Sequence, residues 1–192
     1  VELRAYFTSA ESARSAAEDF SRGAAQIETV VNEDWNAQWR ATMQPARLAP
    51  GWWVSPLWLA PPLESGDRWI KIEPKMAFGT GHHETTRLAA QALVGLGDSL
   101  RGASFLDIGT GSGVLCFVAA MSGAAKWLGV EIDADCLDNL AENRSLNAET
   151  GGSFVIGTTA ALGNTARFDV IAMNMIHTES APLLADCRRL LA

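Results

Sequence analysis

The stretch Ser104-Phe105-Leu106-Asp107-Ile108-Gly109-Thr110-Gly111-Ser112-Gly113-Val114-Leu115 decides the fold of this chain. It opens on a short apolar run, the pattern of a buried strand in a parallel sheet. Glycines follow at alternate positions, and Val114 to Met121 then reads as a largely buried helix. The spacing predicts strand, glycine-rich turn and helix. Glycine suits such a turn because it takes φ > 0 and lets a ligand approach the backbone with no Cβ between them. The helix start beyond the turn presents free N–H groups.

The dinucleotide fingerprint requires G-x-G-x-x-G. Here Gly113 comes one residue early and Val114 stands where that glycine is needed, which disfavours a nicotinamide-dependent oxidoreductase. The run Gly109-x-Gly111-x-Gly113 is similar to the turn of S-adenosylmethionine-binding methyltransferases. Downstream, Trp127 to Asp133 reads as the next strand, ending in acids. Glu131 lies about 20 residues past the glycines, where an acid meets ribose hydroxyls in such folds. Its carboxylate can accept from both hydroxyls in charge-assisted bonds. The alternative is a tight strand–helix turn with a solvated acid beside it.

Further along, Asp135 to Asn147 reads as a helix with Leu137, Leu140 and Ala141 on one face. Phe154-Val155-Ile156 is a short strand, and Phe168 to His177 a fourth with polar residues at its end. Ligands bind at the carboxyl ends of strands in open α/β sheets, which puts Asn174 beside the glycine turn. Its side-chain carbonyl can accept from an amine; the alternative is a turn-forming Asn. His177 reads as an exposed or capping histidine, and Thr178 to Leu191 as a closing helix.

Upstream, Phe78-Gly79-Thr80-Gly81-His82-His83-Glu84-Thr85-Thr86-Arg87 is a glycine- and hydroxyl-rich loop entering a helix from Glu84 to about Leu96. The helix face expected to be apolar is Leu88, Ala89, Ala92, Leu93 and Leu96. The loop reads as a cover over a ligand cleft, or as a plain helix cap with Thr85 or Glu84 as partners. Adjacent His82 and His83 need not point the same way, and without a third ligand at suitable spacing no metal is expected.

Six of the seven tryptophans precede residue 70. Trp35 and Trp39 share a helical face; Trp52-Trp53-Val54 and Trp69 to Ile72 read as strands joined through a turn at Glu64 to Asp67. Bulky aromatics supply the core of a small unit, or dock a partner. Ala10 to Phe20 reads as a helix and Ile27 to Val31 as a strand. The domain division expected is 1–65 for a small α+β N-terminal unit and 66–192 for the ligand-binding unit.

The 192 residues carry a net charge of −7, which argues against general phosphate-driven nucleic-acid binding and suits a basic protein partner. Three cysteines, Cys116, Cys136 and Cys187, show no C-x-x-C spacing; reduced core thiols and a cytoplasmic location are expected. No run is apolar enough to predict a membrane span, and no signal peptide is recognised. The first residue is Val1, so a missing natural N-terminus is expected.

Together these motifs resemble one family: the bacterial lysine methyltransferase that modifies protein eleven of the large ribosomal subunit. The Phe78–Arg87 run is the most specific element. The Asp107–Leu115 turn and Gly129-Val130-Glu131-Ile132-Asp133 follow at the family's spacing, and Asp34-Trp35-x-x-x-Trp39 and the proline-rich stretch after it are similar to the end of its N-terminal domain. The resemblance spans roughly residues 30 to 185. It implies a Rossmann-like class I methyltransferase sheet, the cofactor S-adenosylmethionine, a ribosomal protein as substrate, and cofactor contacts at Thr86, Gly109, Glu131 and Asn174. Thr80 of the loop and Gly111 of the turn complete the expected cofactor set, and Asn174 is the expected catalytic residue, holding the substrate amine. The family usually has Asp at the position of Glu131, and Asn174-Met175-Ile176 departs from its usual sequence after the fourth strand. The family's sheet also has more strands than the roughly four that periodicity finds here, so the chain is expected to be part of a longer protein. The other readings are a lysine methyltransferase of another protein, such as an electron-transfer flavoprotein subunit, and a catalytically incomplete S-adenosylmethionine-binding domain.

Overall fold

The computed structural model describes residues 4–19, 25–29, 42–74, 81, 83–147 and 151–192. The chain divides into two compact units, Val1–Met43 and Gln44–Ala192. In the first, α1 (Ala10–Asp19) matches the helix expected there. The Ser9 hydroxyl accepts from the Ser12 backbone N–H at 3.1 Å, the bond an N-cap serine makes. Residues 25–29 form no strand, in contrast to the expectation for Ile27–Val31; Val30 and Val31, like Trp35 and Trp39, lie outside the described residues.

The second unit starts well before residue 66. Its first sheet comprises β1 (Ala46–Ala49), β2 (Trp52–Ser55) and β3 (Arg68–Lys71), with β1 antiparallel to β2 and β3 parallel to it. The expected boundary at 65/66 thus falls between two hydrogen-bonded strands, and the division lies at 43/44. The reason is burial: Leu48, Trp52, Val54, Ile70 and Ile72 enter the same core as Leu93, Phe105 and Phe117. On the opposite face, Arg47, Trp53 and Trp69 align across the three strands. Trp53 donates to Asp67 at 2.9 Å and Trp69 to the Ser55 hydroxyl at 2.8 Å, so each indole N–H is satisfied. Trp52 is core, whereas Trp58 is 45% exposed.

Among the described residues the second sheet has four parallel strands: β4 (Ser104–Ile108), β5 (Lys126–Glu131), β6 (Gly152–Ile156) and β7 (Val170–Met173), in the spatial order β6-β5-β4-β7. Alternation along the strands sends Phe105 and Trp127 to the core shared with the first sheet and Leu106, Ile108 and Val130 to a second core with Leu190. Helices are α2 (Glu84–Gly95), α3 (Val114–Met121), α4 (Leu137–Asn147), α5 (His177–Ser180) and α6 (Leu184–Leu190). Pro182 sits in a tight 3₁₀ turn between α5 and α6, so the expected closing helix comes in pieces. Beyond it, Leu191 makes a parallel bridge to Phe168, just ahead of β7.

Two helix faces differ from expectation. In α2 the buried residues are Thr86, Ala90 and Leu93, whereas Leu88 is 62% exposed. Gln91 donates to the Leu48 carbonyl at 3.1 Å, so α2 lies close to β1, and small Ala90 suits that approach better than a leucine. In α4 the buried residues are Asn139, Leu140 and Asn143; Leu137 is 51% exposed. The preceding turn, Ala134–Cys136, is 3₁₀ with Asp133 accepting from the Asp135 N–H.

Phe154 links the strands to the glycine turn. Its ring packs against Phe117 and Trp127 at centroid distances of 6.0 and 5.1 Å. A Cβ added at Gly129 would lie 2.6 Å from this ring and 2.8 Å from the Thr110 hydroxyl. Gly129→Ala is therefore expected to destabilise the fold by about 1–3 kcal/mol, the usual cost of overpacking; urea unfolding with an unchanged m-value measures it.

Candidate functional site

The turn between β4 and α3 carries Gly109, Gly111 and Gly113 at φ of 72°, 55° and 83°, all in the left-handed region that costs an L-residue roughly 1–2 kcal/mol. Close approach adds to that demand at Gly109, where a Cβ would come within 2.9 Å of Met175. The turn is tied to β5: the N–H groups of Gly109 and Thr110 both donate to the Val130 carbonyl, at 2.8 and 3.1 Å. The Gly111 N–H donates to Glu131 Oε2 at 2.9 Å. Glu131 Oε1 accepts from the N–H groups of Ile132 and Asp133 at 2.9 and 3.2 Å. The carboxylate is thereby fixed at the carboxyl end of β5, within reach of the turn.

At the other side of β4, β7 ends at Met173 and delivers Asn174. Asn174 Nδ2 donates to the Thr86 hydroxyl at 3.2 Å, a contact between residues 88 apart in sequence. Thr86 is 1% exposed, in the first turn of α2. The structure therefore gathers Thr86, Gly109, Gly111, Glu131 and Asn174 around the carboxyl ends of β4, β5 and β7. Thr80 lies outside the described residues, as does His82. His83 caps α2, its Nδ1 accepting from the Thr85 N–H, with the Thr85 hydroxyl 2.8 Å from the same nitrogen. The cap residue is thus His83, with Thr85 as its partner. His177 opens α5 and is exposed. Cys116 is buried, and Cys136 and Cys187 are half-buried.

Asp107 was absent from the sequence-derived site set, yet it lies directly under the turn. It is 1% exposed. Thr110 Oγ1 donates to its Oδ2 at 2.7 Å, while Oδ1 is buried without a partner. Burial pushes the carboxyl up from 3.8 to about 7; the Thr110 bond opposes the rise and the negative Glu131 adds to it. The same burial raises the Cys116 thiol. An acid inside the apolar run Phe105–Ile108 was the visible signal, because an ionisable group rarely enters a core without a task.

Asp107 makes stability pH-dependent with a determinate sign. Its folded pKa of about 7 exceeds the ordinary 3.8, so the folded state binds the proton more tightly than the unfolded one. That contribution is fully present below about pH 4 and is lost as pH rises to 7. Asp107→Asn, neutral throughout, is expected to show a flatter dependence of Tm on pH between 4 and 8 and to gain on the parent as pH rises. Thermal unfolding followed by circular dichroism across that range checks this.

Comparison with known proteins gives a consistent picture. Residues 1–192 match the family model described as ribosomal protein L11 methyltransferase (PrmA). The ribosomal protein L11 methyltransferase of Pelobacter propionicus is 37% identical over 156 residues, covering 80% of this chain and 50% of that protein. Its counterpart in Deinococcus radiodurans is 39% identical over 160 residues, covering 81% and 57%. The chain thus spans about half the length of the curated relatives it matches. The crystal structure of a ribosomal protein L11 methylase from Lactobacillus delbrueckii subsp. bulgaricus aligns with a TM-score of 0.70 at 24% identity, covering 78% of this chain and 76% of that one; the two share this α/β fold with its parallel sheet.

Proposed function

The chain belongs to the ribosomal protein L11 methyltransferase (PrmA) family, and on that premise we propose that its glycine turn holds S-adenosylmethionine for methylation of lysine amino groups on a large-subunit ribosomal protein. The observation that carries the reading is the convergence at one sheet end of the Glu131 carboxylate on Gly111 and of the Asn174 amide on Thr86.

The donor and acceptor set fits that cofactor. The turn offers backbone with no Cβ at half-buried Gly109 and buried Gly111, and a fixed carboxylate stands at the end of β5. Glu131 would accept from the ribose hydroxyls, Gly109 and Gly111 would let the ligand approach the main chain, and Thr86 would line the cleft with Asn174. Thr80 joins this set by its place in the loop sequence. When bound, S-adenosylmethionine supplies an activated methyl group, so binding and orientation are the protein's share of the work.

An attacking lysine, with an ordinary pKa near 10.4, must first lose a proton. Desolvation in a closed cleft favours the neutral amine. With its Nδ2 engaged by Thr86, Asn174 offers its carbonyl oxygen to the amine N–H and aims the nitrogen lone pair. The first sheet, with its aromatic outer face, is the surface proposed to present the protein substrate. The acidic balance of −7 complements a basic ribosomal protein in the cytoplasm. Among the described residues no helix is long and apolar enough to cross a membrane.

Calorimetric titration with S-adenosylhomocysteine tests the cofactor assignment. Glu131→Ala is expected to weaken binding by about 10- to 100-fold, the worth of charge-assisted hydrogen bonds; unchanged affinity removes Glu131 from the ribose site. Labelled methyl transfer from the whole protein into ribosomes should fall steeply in Asn174→Ala, and full turnover in that variant would eliminate the amine-holding role.

A further inference from the structure

Asn139, Asn143 and Asn147 recur every four residues along one face of α4, and that face points inward. Asn143 is 0% exposed and Asn139 3% exposed. Their amides bond to the free edge of β3 and its continuation. Asn147 Oδ1 accepts from the Lys71 N–H at 2.9 Å, and its Nδ2 donates to the Lys71 carbonyl at 2.7 Å. Two residues on, Asn143 Oδ1 accepts from the Glu73 N–H at 2.7 Å, and Asn139 Nδ2 donates to the Glu73 carbonyl at 2.8 Å. Ile72 between them donates to Ser55 on the other side of the strand. A helix face therefore does what a neighbouring strand would do for an edge.

Asn143 differs from the other two. Its Nδ2 also donates to the Ser112 carbonyl at 2.9 Å, in the glycine turn. A single buried amide thus holds Glu73 with its acceptor and Ser112 with its donor. Glu73 precedes Pro74 and the Gly79-Thr80-Gly81 run in sequence. Ser112 is flanked by Gly111 and Gly113, whose left-handed conformations the turn requires.

We infer that Asn143 is a positioning residue for the cofactor turn, coupling its backbone to the Glu73 segment, whereas Asn147 bonds Lys71 at the strand edge and, within α4, the Asn143 carbonyl at 2.7 Å. This rests on the reading of the turn as the cofactor site. The carbonyl of Ser112 is held by the Asn143 amide in the orientation that leaves the turn's N–H groups arranged as they are; losing that bond lets the turn relax. Removing Asn147 costs its bonds to Lys71 and to the Asn143 carbonyl, while the Asn143 side chain keeps its own bonds to Glu73 and Ser112.

The test compares Asn143→Ser with Asn147→Ser, at a temperature where both are folded. Affinity for S-adenosylhomocysteine is read by calorimetry and backbone amide exchange at Gly111 and Gly113 by NMR. Asn143→Ser is expected to weaken binding by about tenfold and to speed exchange at both glycines. Asn147→Ser is expected to lower Tm while leaving affinity within about twofold and turn exchange as in the parent. If the two variants shift affinity and exchange alike, or if Asn143→Ser moves neither, the positioning role is overturned. A parent chain that does not bind S-adenosylhomocysteine overturns the cofactor reading instead, and the exchange comparison still decides the role of Asn143 in the turn. One measurement needs no variant: saturating S-adenosylhomocysteine should slow exchange at the Glu73 amide, which bonds Asn143, more than at the Lys71 amide, which bonds Asn147. Equal slowing at both sites speaks against the coupling.

Discussion

The backbone of the glycine turn is the constraint around which the larger unit is arranged. Between β4 and α3 the chain takes left-handed conformations at alternate residues, and each of the intervening positions has its own anchor. Thr110 is fixed by Val130 through its N–H and by Asp107 through its hydroxyl. Ser112 is fixed through its carbonyl by Asn143. Glu131 takes the Gly111 N–H. Main-chain groups that would otherwise be orphaned in a tight reversal find partners on β5 and α4, and a loop thereby acquires the rigidity of the elements beside it.

That rigidity sets two acids close to one another. Asp107 below the turn and Glu131 at its flank repel, which adds to the burial that raises the Asp107 carboxyl. α3 opposes this only weakly: its residues from Val114 to Ala119 are buried, and the Cys116 thiol among them donates to Asp107 Oδ2 at 3.9 Å. A hydrophobic design would have put an aliphatic residue at 107. Conflicts of this kind gather where a protein binds or reacts, because local rules give way there to the needs of a ligand.

Much of this was legible from residue order. Alternating glycines, the acid at the end of β5 and the polar residue after β7 each follow from chain chemistry at short range, and the parallel sheet follows from apolar runs spaced by helices. Thr86 came from resemblance alone, and folding brings it within a hydrogen bond of Asn174 across 88 residues. What eluded the sequence depends on partners far away in the chain. Leucines at 88 and 137 looked like core and face outward, because Thr86 and Ala90 fit the surface that α2 meets and asparagines fit the one that α4 meets. Asparagine carries no hydrophobic signal. Its burial is intelligible only once Lys71 and Glu73 are seen to offer unpaired main-chain groups to it. Asp107 escaped for a related reason, since its partner Thr110 sits in a turn whose shape periodicity does not describe.

The amide ladder of α4 has a consequence for how its helix finds its place. Apolar surfaces slide over one another at small cost, since one methyl group serves nearly as well as the next. Side-chain amides matched to alternate residues of a strand do not slide: the four-residue rise from Asn143 to Asn147 has to coincide with the two-residue step from Glu73 to Lys71. A slip of one residue would leave both Lys71 and Glu73 facing the wrong way. The asparagines thus act as a vernier, setting the lengthwise alignment of helix and strand in a contact whose polar composition gives it little adhesive strength.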